Sequence, residues 1–177
     1  RLLHPDDRIP NSRDRYYLMK YDVATGLSER LTYGSHNVYL NDISPDGKKL
    51  LCSTSKPDIT RCPFSLSSLF EIDLTTLQAD TLVAWDAYLG SASYSPDGKQ
   101  LLVTGSPSAF GGIGKNCGEH PIANDFDTQA FIMDLATKKV QAITRDFNPT
   151  VSPVQWNRVD GCIYFDTTDG DCRHIYR

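Results

Sequence analysis

The chain is built from short runs of strand-forming residues, and each run is bounded by Gly, Pro, Asp or Asn residues that favour turns. The runs at 49–54 and 100–105 are typical, with Leu, Val, Cys and Thr dominating. No long apolar pattern with the 3.6-residue period of a helix competes with them. The predicted strands span 16–22, 27–32, 38–44, 49–54, 67–73, 78–83, 89–95, 100–105, 128–134, 139–144, 150–156, 162–167 and 172–177. The pattern therefore predicts an all-β protein.

A Ser-Pro-Asp-Gly tetrapeptide separates predicted strands at 44–47 and at 95–98, and a looser copy lies at 157–161. Pro presets φ at the first corner of a type I turn, Asp tolerates the second corner, and Gly accepts the left-handed conformation that follows. Such a turn closes a β-hairpin with a bulge. We therefore expect Gly47 and Gly98 to have positive φ at the same place in successive hairpins.

A second turn, Asp-x-x-Thr, occurs at 22–25, 73–76 and 134–137. Its Asp and Thr side chains can bond nearby backbone amides, which favours another hairpin. The Asp of each Asp-x-x-Thr turn is followed by the Asp of a Ser-Pro-Asp-Gly turn or its looser copy. The two are separated by 24, 24 and 26 residues in the three successive copies. The chain thus repeats a unit of about 50 residues, and an insertion follows Thr104 in one copy.

Each unit contains four short strands and two hairpins, which is typical of one blade of a β-propeller. The predicted organisation has four parts. They are a half blade at 16–32, a blade at 38–83, a blade at 89–144 with an insertion at 105–127, and an incomplete blade at 150–177. A closed propeller needs at least about four blades. We therefore expect a partial propeller of three to four four-stranded antiparallel blades that does not close, with 1–177 an internal fragment of a longer propeller domain.

Composition narrows the function classes. The chain is 40% hydrophobic and 23% charged, with 18 Lys and Arg against 22 Asp and Glu, giving a net charge of −4. That composition is typical of a folded chain. A mildly acidic chain without a basic block does not suit nucleic acid or an anionic membrane. No apolar run reaches the roughly 18 residues of a membrane span.

The five cysteines leave two hypotheses open. Cys52 and Cys62 are ten residues apart, as are Cys162 and Cys172, so either pair could bridge neighbouring strands of a hairpin. The alternative is that they are buried thiols acting as small hydrophobes. With Cys117 the number is odd, so at least one thiol stays unpaired. No Cys-x-x-Cys pair exists, which excludes the usual zinc and thioredoxin patterns.

The insertion holds two candidate binding motifs. Residues 111–116 read Gly-Gly-Ile-Gly-Lys-Asn, but a phosphate-binding loop needs Ser or Thr after the Lys, so no nucleotide cofactor is expected. The same insertion carries the possible metal ligands Glu119, His120, Asp125 and Asp127. Pro121 and the irregular spacing favour a solvated loop without metal. A long insertion is nevertheless the best candidate for a contact surface.

The repeats resemble those of two groups of propellers. Ser-Pro-Asp-Gly-Lys-x-Leu-Leu combined with Asp-x-x-Thr-Gly and Arg-Leu-Thr resembles TolB-like periplasmic propellers. It also resembles the N-terminal propeller of the prolyl oligopeptidase family, especially its dipeptidyl-peptidase-IV-like branch. The resemblance covers 16–177, and the stretch 143–176 favours the peptidase branch. It implies an α/β-hydrolase domain in the same longer protein, short peptide substrates, no cofactor and an extracytoplasmic location.

Catalytic residues of that family are not found in this chain. The family's nucleophile lies in Gly-x-Ser-x-Gly, and neither Gly90-Ser91-Ala92 nor Gly105-Ser106-Pro107 has that frame. The four histidines therefore have no triad to join; they are His4, His36, His120 and His174. The branch also binds the substrate's amino terminus with a Glu-Glu pair, which this sequence lacks. We expect no catalytic, cofactor-binding or metal-binding residue.

Two functions follow as hypotheses. The first is a non-catalytic propeller segment that gates the access of peptides to the hydrolase domain of a serine exopeptidase or oligopeptidase. The second is a TolB-like protein-interaction propeller without enzymatic activity. Either would leave open blade faces through which the chain could self-associate, and we expect these faces to carry apolar strand residues such as Leu50, Leu101, Ile132 and Phe165.

Overall fold

The computed structural model describes residues 15–117 and 125–177, which form thirteen strands in four antiparallel sheets. The half blade pairs β1 (Met19–Tyr21) with β2 (Ser28–Arg30). The second blade contains β3 (Val38–Ile43), β4 (Lys49–Pro57), β5 (Ser65–Asp73) and β6 (Ala79–Asp86). The third blade contains β7 (Leu89–Tyr94), β8 (Gln100–Gly105), β9 (Gln129–Asp134) and β10 (Val140–Ala142). The fourth blade contains β11 (Val151–Trp156), β12 (Ile163–Asp169) and β13 (Cys172–Tyr176).

The architecture confirms the predicted all-β, unclosed propeller. In each sheet the strands lie in sequence order, so every neighbouring pair is a hairpin connection. A strand lies within each of the thirteen predicted segments, although several ends differ. Strands β4 and β6 each run three residues beyond the predicted end, since β5 pairs with β4 as far as Pro57 and with β6 as far as Asp86.

The Ser-Pro-Asp-Gly turns have the expected geometry. Gly47 has φ +71° and Gly98 has φ +70°. The amides of Ser44 and Ser95 close the hairpins at 2.9 and 2.8 Å, and each serine hydroxyl donates to the Asp two positions later. The prediction of two equivalent left-handed glycines is confirmed.

The Asp-x-x-Thr turns also repeat closely. Asp22, Asp73 and Asp134 each accept the amide of the Thr three residues later, at 2.8–3.0 Å. The residue after the Thr is left-handed in every copy, and only one copy uses glycine there: Gly26 has φ 72°, Leu77 has φ 57° and Lys138 has φ 56°. The side-chain hydrogen bonds of the Asp therefore hold this turn even where glycine is missing.

The hydrophobic core consists of three clusters, one between each pair of neighbouring blades. Because successive side chains of a strand point to opposite faces, adjacent residues serve different clusters. Leu50 packs toward the half blade and Leu51 toward the third blade, while Leu101 packs toward the second blade and Leu102 toward the fourth. Each sheet is thus apolar on both faces.

This alternation corrects the expectation for the open faces. Leu50 and Leu101 are 7% and 0% exposed and lie between blades. Phe165 packs against the cluster between the third and fourth blades, and Ile132 pairs with Leu102 on that same side. The four residues expected on terminal faces are therefore on inner faces.

Other apolar side chains lie on the terminal elements. On β1, Met19 and Tyr21 are 55% and 62% exposed, and on β13 Ile175 is 77% exposed. Leu18 and Leu31, by contrast, pack toward the second blade, so Met19 and Tyr21 lie on the outer face of the half blade. Within the described residues, no helix has the length and hydropathy to cross a membrane.

The ends of the strands define two faces of the arc. The turn face carries the Ser-Pro-Asp-Gly and Asp-x-x-Thr hairpins. The loop face carries the β4–β5 connection at 58–64, the β6–β7 connection at 87–88 and the β8–β9 connection, which is described at 106–117 and 125–128. The insertion is therefore on the loop face.

Candidate functional site

A cavity of about 560 Å³ opens on the loop face, where the second, third and fourth blades meet. Its floor is the start of β7 and the end of β8. One wall comes from the β4–β5 connection, at Cys62 and Pro63, and the opposite wall comes from the end of the insertion, at 125–128. The third blade therefore contributes most of the lining.

Two glycines let the floor form. A Cβ at Gly90 would lie 2.7 Å from Thr104 Oγ1, and a Cβ at Gly105 would lie 2.8 Å from the Tyr88 carbonyl oxygen. The Ser106 amide donates to that same carbonyl at 3.0 Å. Because the backbones approach so closely, larger residues at either glycine would push the floor apart.

The insertion wall carries two carboxylates and an aromatic ring. Asp125 accepts a hydrogen bond from the Ser106 hydroxyl at 3.2 Å, and Asp127 accepts one from the Thr150 hydroxyl at 2.8 Å. Phe126, between them, is 97% exposed. The wall thus offers negative charge and an apolar contact surface side by side, and the fixed carboxylates need no rearrangement before a ligand approaches.

The first part of the insertion is packed, whereas most of the residues for which a solvated loop is expected, around Pro121, lie outside the described residues. Ala109, in the short helix α1 (Ala109–Gly112), is 0% exposed, and the Phe110 ring lies 5.2 Å from that of Phe131. The Phe110 amide donates to Asp86 at 2.7 Å. Phe110 and Gly111 have left-handed φ angles, and the packed Ala109 and Phe110 hold this part of the segment against the sheet.

Of the four candidate metal ligands, Glu119 and His120 lie outside the described residues. Asp125 and Asp127 accept hydrogen bonds from the hydroxyls of Ser106 and Thr150, which lie next to different strands. Residues 15–117 and 125–177 contain no group of three His, Cys, Asp or Glu side chains that could hold a metal. In 111–116, the first two glycines end α1, and residues 116–117, the last described before 125, are not helical, whereas a helix follows the Lys of a phosphate-binding loop.

The serines of the two Gly-Ser sequences bond neighbouring side chains. Ser91 Oγ shares a hydrogen bond with Thr104, and Ser106 donates to Asp125. Of the histidines, His36 lies against Trp85 and His174 against Tyr176, at ring distances of 6.0 and 6.1 Å. His4 and His120 lie outside the described residues.

All five cysteines are free thiols, so neither disulfide hypothesis holds. Register explains why: Cys52 pairs with Leu40 and Phe70, and Cys172 pairs with Asp169, so no cysteine faces another across a strand. The small-hydrophobe alternative fits Cys52, which is buried and whose thiol pKa burial raises to about 12. Cys62 and Cys172 are exposed.

The residues that shape the site do not belong to any of the recognised motifs. Gly90 and Gly105 drew notice only as partial nucleophile motifs, whereas their role is to allow close backbone approach. Isolated glycines at the ends of predicted strands are a signal of such approach. Glu71, a buried carboxylate between two blades, was also missed; its signal is a charged residue where the equivalent strand has Ile132.

Comparison with known proteins supports the fold. No protein-family model and no curated protein matches the sequence. Among solved structures, TolB from Acinetobacter baumannii matches with a TM-score of 0.61 and 21% identity, over 90% of this chain and 34% of that one. Oligogalacturonate lyase from Vibrio parahaemolyticus matches with 0.66 and 16%, over 91% and 44%. Dipeptidyl peptidase 4 from Porphyromonas gingivalis matches with 0.56 and 10%, over 86% and 27%.

These matches show the fold alone, because every identity is low. They confirm the resemblance to TolB-like and dipeptidyl-peptidase propellers at the level of architecture. This chain spans less than half the length of each matched protein. Proteins of different activity share the fold, so function has to be argued from the site.

Proposed function

We propose that this chain is a non-catalytic propeller segment whose loop face admits short peptides to a serine-hydrolase domain of the same longer protein. The observation that carries this proposal is the open cavity of about 560 Å³ on the loop face. Its size falls in the range of about 300–1,000 Å³ that suits small ligands. Carboxylates, hydroxyls and an exposed ring line it, and these groups match the amide, charged and apolar groups of a peptide.

Two further observations support the proposal. The sequence contains no Gly-x-Ser-x-Gly elbow, so the covalent chemistry would come from the hydrolase domain. The fold also matches that of dipeptidyl peptidase 4 from Porphyromonas gingivalis over 86% of this chain. The segment would then select substrates by size and surface chemistry, without touching the bond that is broken.

A second candidate is a TolB-like protein-interaction propeller. The nearly complete exposure of Phe126 favours it, because exposed aromatic residues are enriched where proteins bind one another. The fold match to TolB from Acinetobacter baumannii is consistent with this alternative. The two candidates differ in the size of what binds the loop face.

Calorimetric titration with ligands of increasing size separates them. We expect unstructured tripeptides and hexapeptides to bind saturably, and a folded protein carrying the same sequence in a surface strand to bind not at all. Binding of the folded protein alone would favour the interaction propeller, and no binding of any ligand would overturn both candidates.

Two matched variants and an activity assay complete the test. Phe126→Ala should weaken peptide binding several-fold, while Val159→Ala, at a 95% exposed position on the turn face, should not. The purified chain should not hydrolyse aminoacyl-proline or aminoacyl-alanine substrates. Turnover that a serine-directed inhibitor blocks would contradict the non-catalytic role.

A further inference from the structure

The interface between the second and third blades contains a polar triad of Lys49, Glu71 and Tyr94 beside an apolar cluster, in which Glu71 and Tyr94 are buried and the Lys49 side chain is 46% exposed. Glu71 is 5% exposed and Tyr94 is 4% exposed. The Tyr94 hydroxyl donates to Glu71 Oε1 at 2.7 Å, and Lys49 Nζ donates to Glu71 Oε2 at 2.8 Å. Both oxygens of the carboxylate therefore have charged or polar donors.

The triad joins two blades. Lys49 and Glu71 lie diagonally across β4 and β5 of the second blade, where Lys49 pairs with Asp73 and Leu51 with Glu71, whereas Tyr94 is the last residue of β7 in the third. The Tyr94 amide also donates to Asp42 Oδ2 of the second blade at 2.9 Å. One residue of the third blade is thus held at its backbone and at its hydroxyl by two carboxylates of the second blade.

The protonation states suit this arrangement. Burial, followed by the hydrogen bond to Glu71, raises the pKa of Tyr94 far above its ordinary value, so the hydroxyl keeps its proton. The hydrogen bond to Glu71 raises the pKa of Lys49. Both donors therefore remain donors at every pH near neutrality.

The equivalent places at the next interface have different chemistry. Counting from the repeated turns, Lys49 corresponds to Gln100, Glu71 to Ile132, and Tyr94 to Trp156. Trp156 packs with the cluster between the third and fourth blades. The interface between the second and third blades therefore has a carboxylate and a phenol at two places where the interface between the third and fourth blades has an aliphatic side chain and an indole. The ammonium group at the third place is replaced by the amide of Gln100.

We propose that positions 49, 71 and 94 form a pairing code that makes the second blade accept the third blade as its neighbour and reject other blades of the chain. A blade that presents an apolar residue opposite Glu71 would leave a buried carboxylate without its donor, which is strongly unfavourable. At the next interface, Ile132 pairs with Leu102, and Trp156 packs with the same cluster as Leu102, so a carboxylate at position 132 would face apolar neighbours. Blades built from one repeat are otherwise interchangeable, so such a code prevents the slipped or exchanged pairing to which repeat chains are prone.

Transplanting the code within the full chain tests this. Ile132→Glu alone should lower the melting temperature by several degrees, because it places a carboxylate without a donor at a half-buried position between two blades. The triple variant Gln100→Lys, Ile132→Glu, Trp156→Tyr should recover at least half of that loss. Thermal unfolding followed by circular dichroism gives both values.

The native triad provides the reciprocal test. The triple variant Lys49→Gln, Glu71→Ile, Tyr94→Trp copies the residues of the neighbouring interface. Glu71→Ile alone should be more destabilising than this triple variant. Where Glu71→Ile does not fold, the milder pair Glu71→Gln and Tyr94→Phe serves in a double-mutant cycle. Tyr164→Phe is the control, since its hydroxyl bonds Asp160 within the same hairpin.

Strong coupling between the substituted positions, with little effect of Tyr164→Phe, is the expected result. Additive losses at positions 100, 132 and 156, or equal losses for Tyr94→Phe and Tyr164→Phe, would overturn the pairing code. The outcome does not depend on peptide binding, so it is independent of the proposed function.

Discussion

At the scale of single residues, the aspartates of the repeated turns determine how the fold responds to acid. The backbone amide of Thr76 is the main cause that lowers the pKa of Asp73, and the hydroxyl of Ser95 is the main cause for Asp97. These carboxylates are solvent-exposed but fixed by hydrogen bonds. The same turn chemistry recurs in every blade, so its effects accumulate.

Acid should therefore loosen the turns. A carboxylate whose pKa is lower in the folded chain stabilises the fold above its ordinary pKa of about 3.9, and this contribution disappears as the pH falls through the folded value. We expect the melting temperature to decline from about pH 4 downward. Asp73→Asn with Asp97→Asn keeps the acceptor oxygens but cannot titrate, so the decline should be shallower. An equally steep decline in the double variant would contradict this origin.

The two left-handed glycines should respond differently to valine. Nothing lies within 4 Å of a Cβ at Gly47, so Gly47→Val should cost only the conformational strain, about 1–2 kcal/mol. At Gly98 the Cβ would also lie 3.3 Å from Pro45 of the preceding blade, so Gly98→Val should cost more. Urea unfolding of the two variants measures the difference. Equal costs would mean that contact between successive turns contributes nothing.

At the scale of elements, the strands could be predicted from the chemistry of the turns. Features that depend on long-range packing could not be predicted. The Pro, Asp and Gly of each turn act locally, so the positions of the hairpins follow from sequence. The packed part of the insertion depends on Phe110 meeting Phe131 across twenty intervening residues, which no local pattern reveals. The inner location of Leu50 also required knowing that both faces of its sheet are covered.

The candidate site was predictable only as a region. The length of the insertion pointed to the loop face, but the cavity depends on the approach of Gly90 to Thr104 and of Gly105 to Tyr88. These contacts join the beginning of one strand to the end of the next. Glycine tolerates them because it has no Cβ, and the sequence alone does not say which glycines are used this way.

The junction of β8 with the insertion should be intolerant of side chains. A Cβ at Gly105 would meet the Tyr88 carbonyl at 2.8 Å and Ala109 Cβ at 3.1 Å, so Gly105→Ala should cost about 1–3 kcal/mol from overpacking. Gly111→Ala meets no atom within 4 Å and should cost about 1 kcal/mol from its left-handed φ alone. Urea unfolding compares them; a Gly105→Ala variant as stable as Gly111→Ala would show that the floor can relax.

At the scale of the whole molecule, the chain is an arc with an open face at each end. Met19 and Tyr21 lie on the outer face of the half blade, and among the described residues β1 pairs with β2 alone. Exposed apolar faces and unpaired strand edges favour association with another chain. The faces between neighbouring blades are therefore covered, whereas the two terminal faces of the arc are exposed.

The isolated chain should self-associate through these ends. We expect size-exclusion chromatography with light scattering to show species larger than the monomer at micromolar concentration. Met19→Glu with Tyr21→Glu should shift the population toward monomer, while Val159→Glu on the turn face should not. A monomer that melts cooperatively above about 65 °C, beyond the usual mesophile range, would mean that the terminal faces are already covered.

Chemical-shift mapping by nuclear magnetic resonance tests the central claim most directly. A short peptide titrated into the Met19→Glu, Tyr21→Glu variant should shift the amides of Gly90, Gly105 and Thr128 on the loop face. The amides of Gly47 and Gly98, on the turn face, should stay in place. Shifts clustered on the turn face, or no shifts at saturating peptide, would contradict the assignment of peptide access to the loop face.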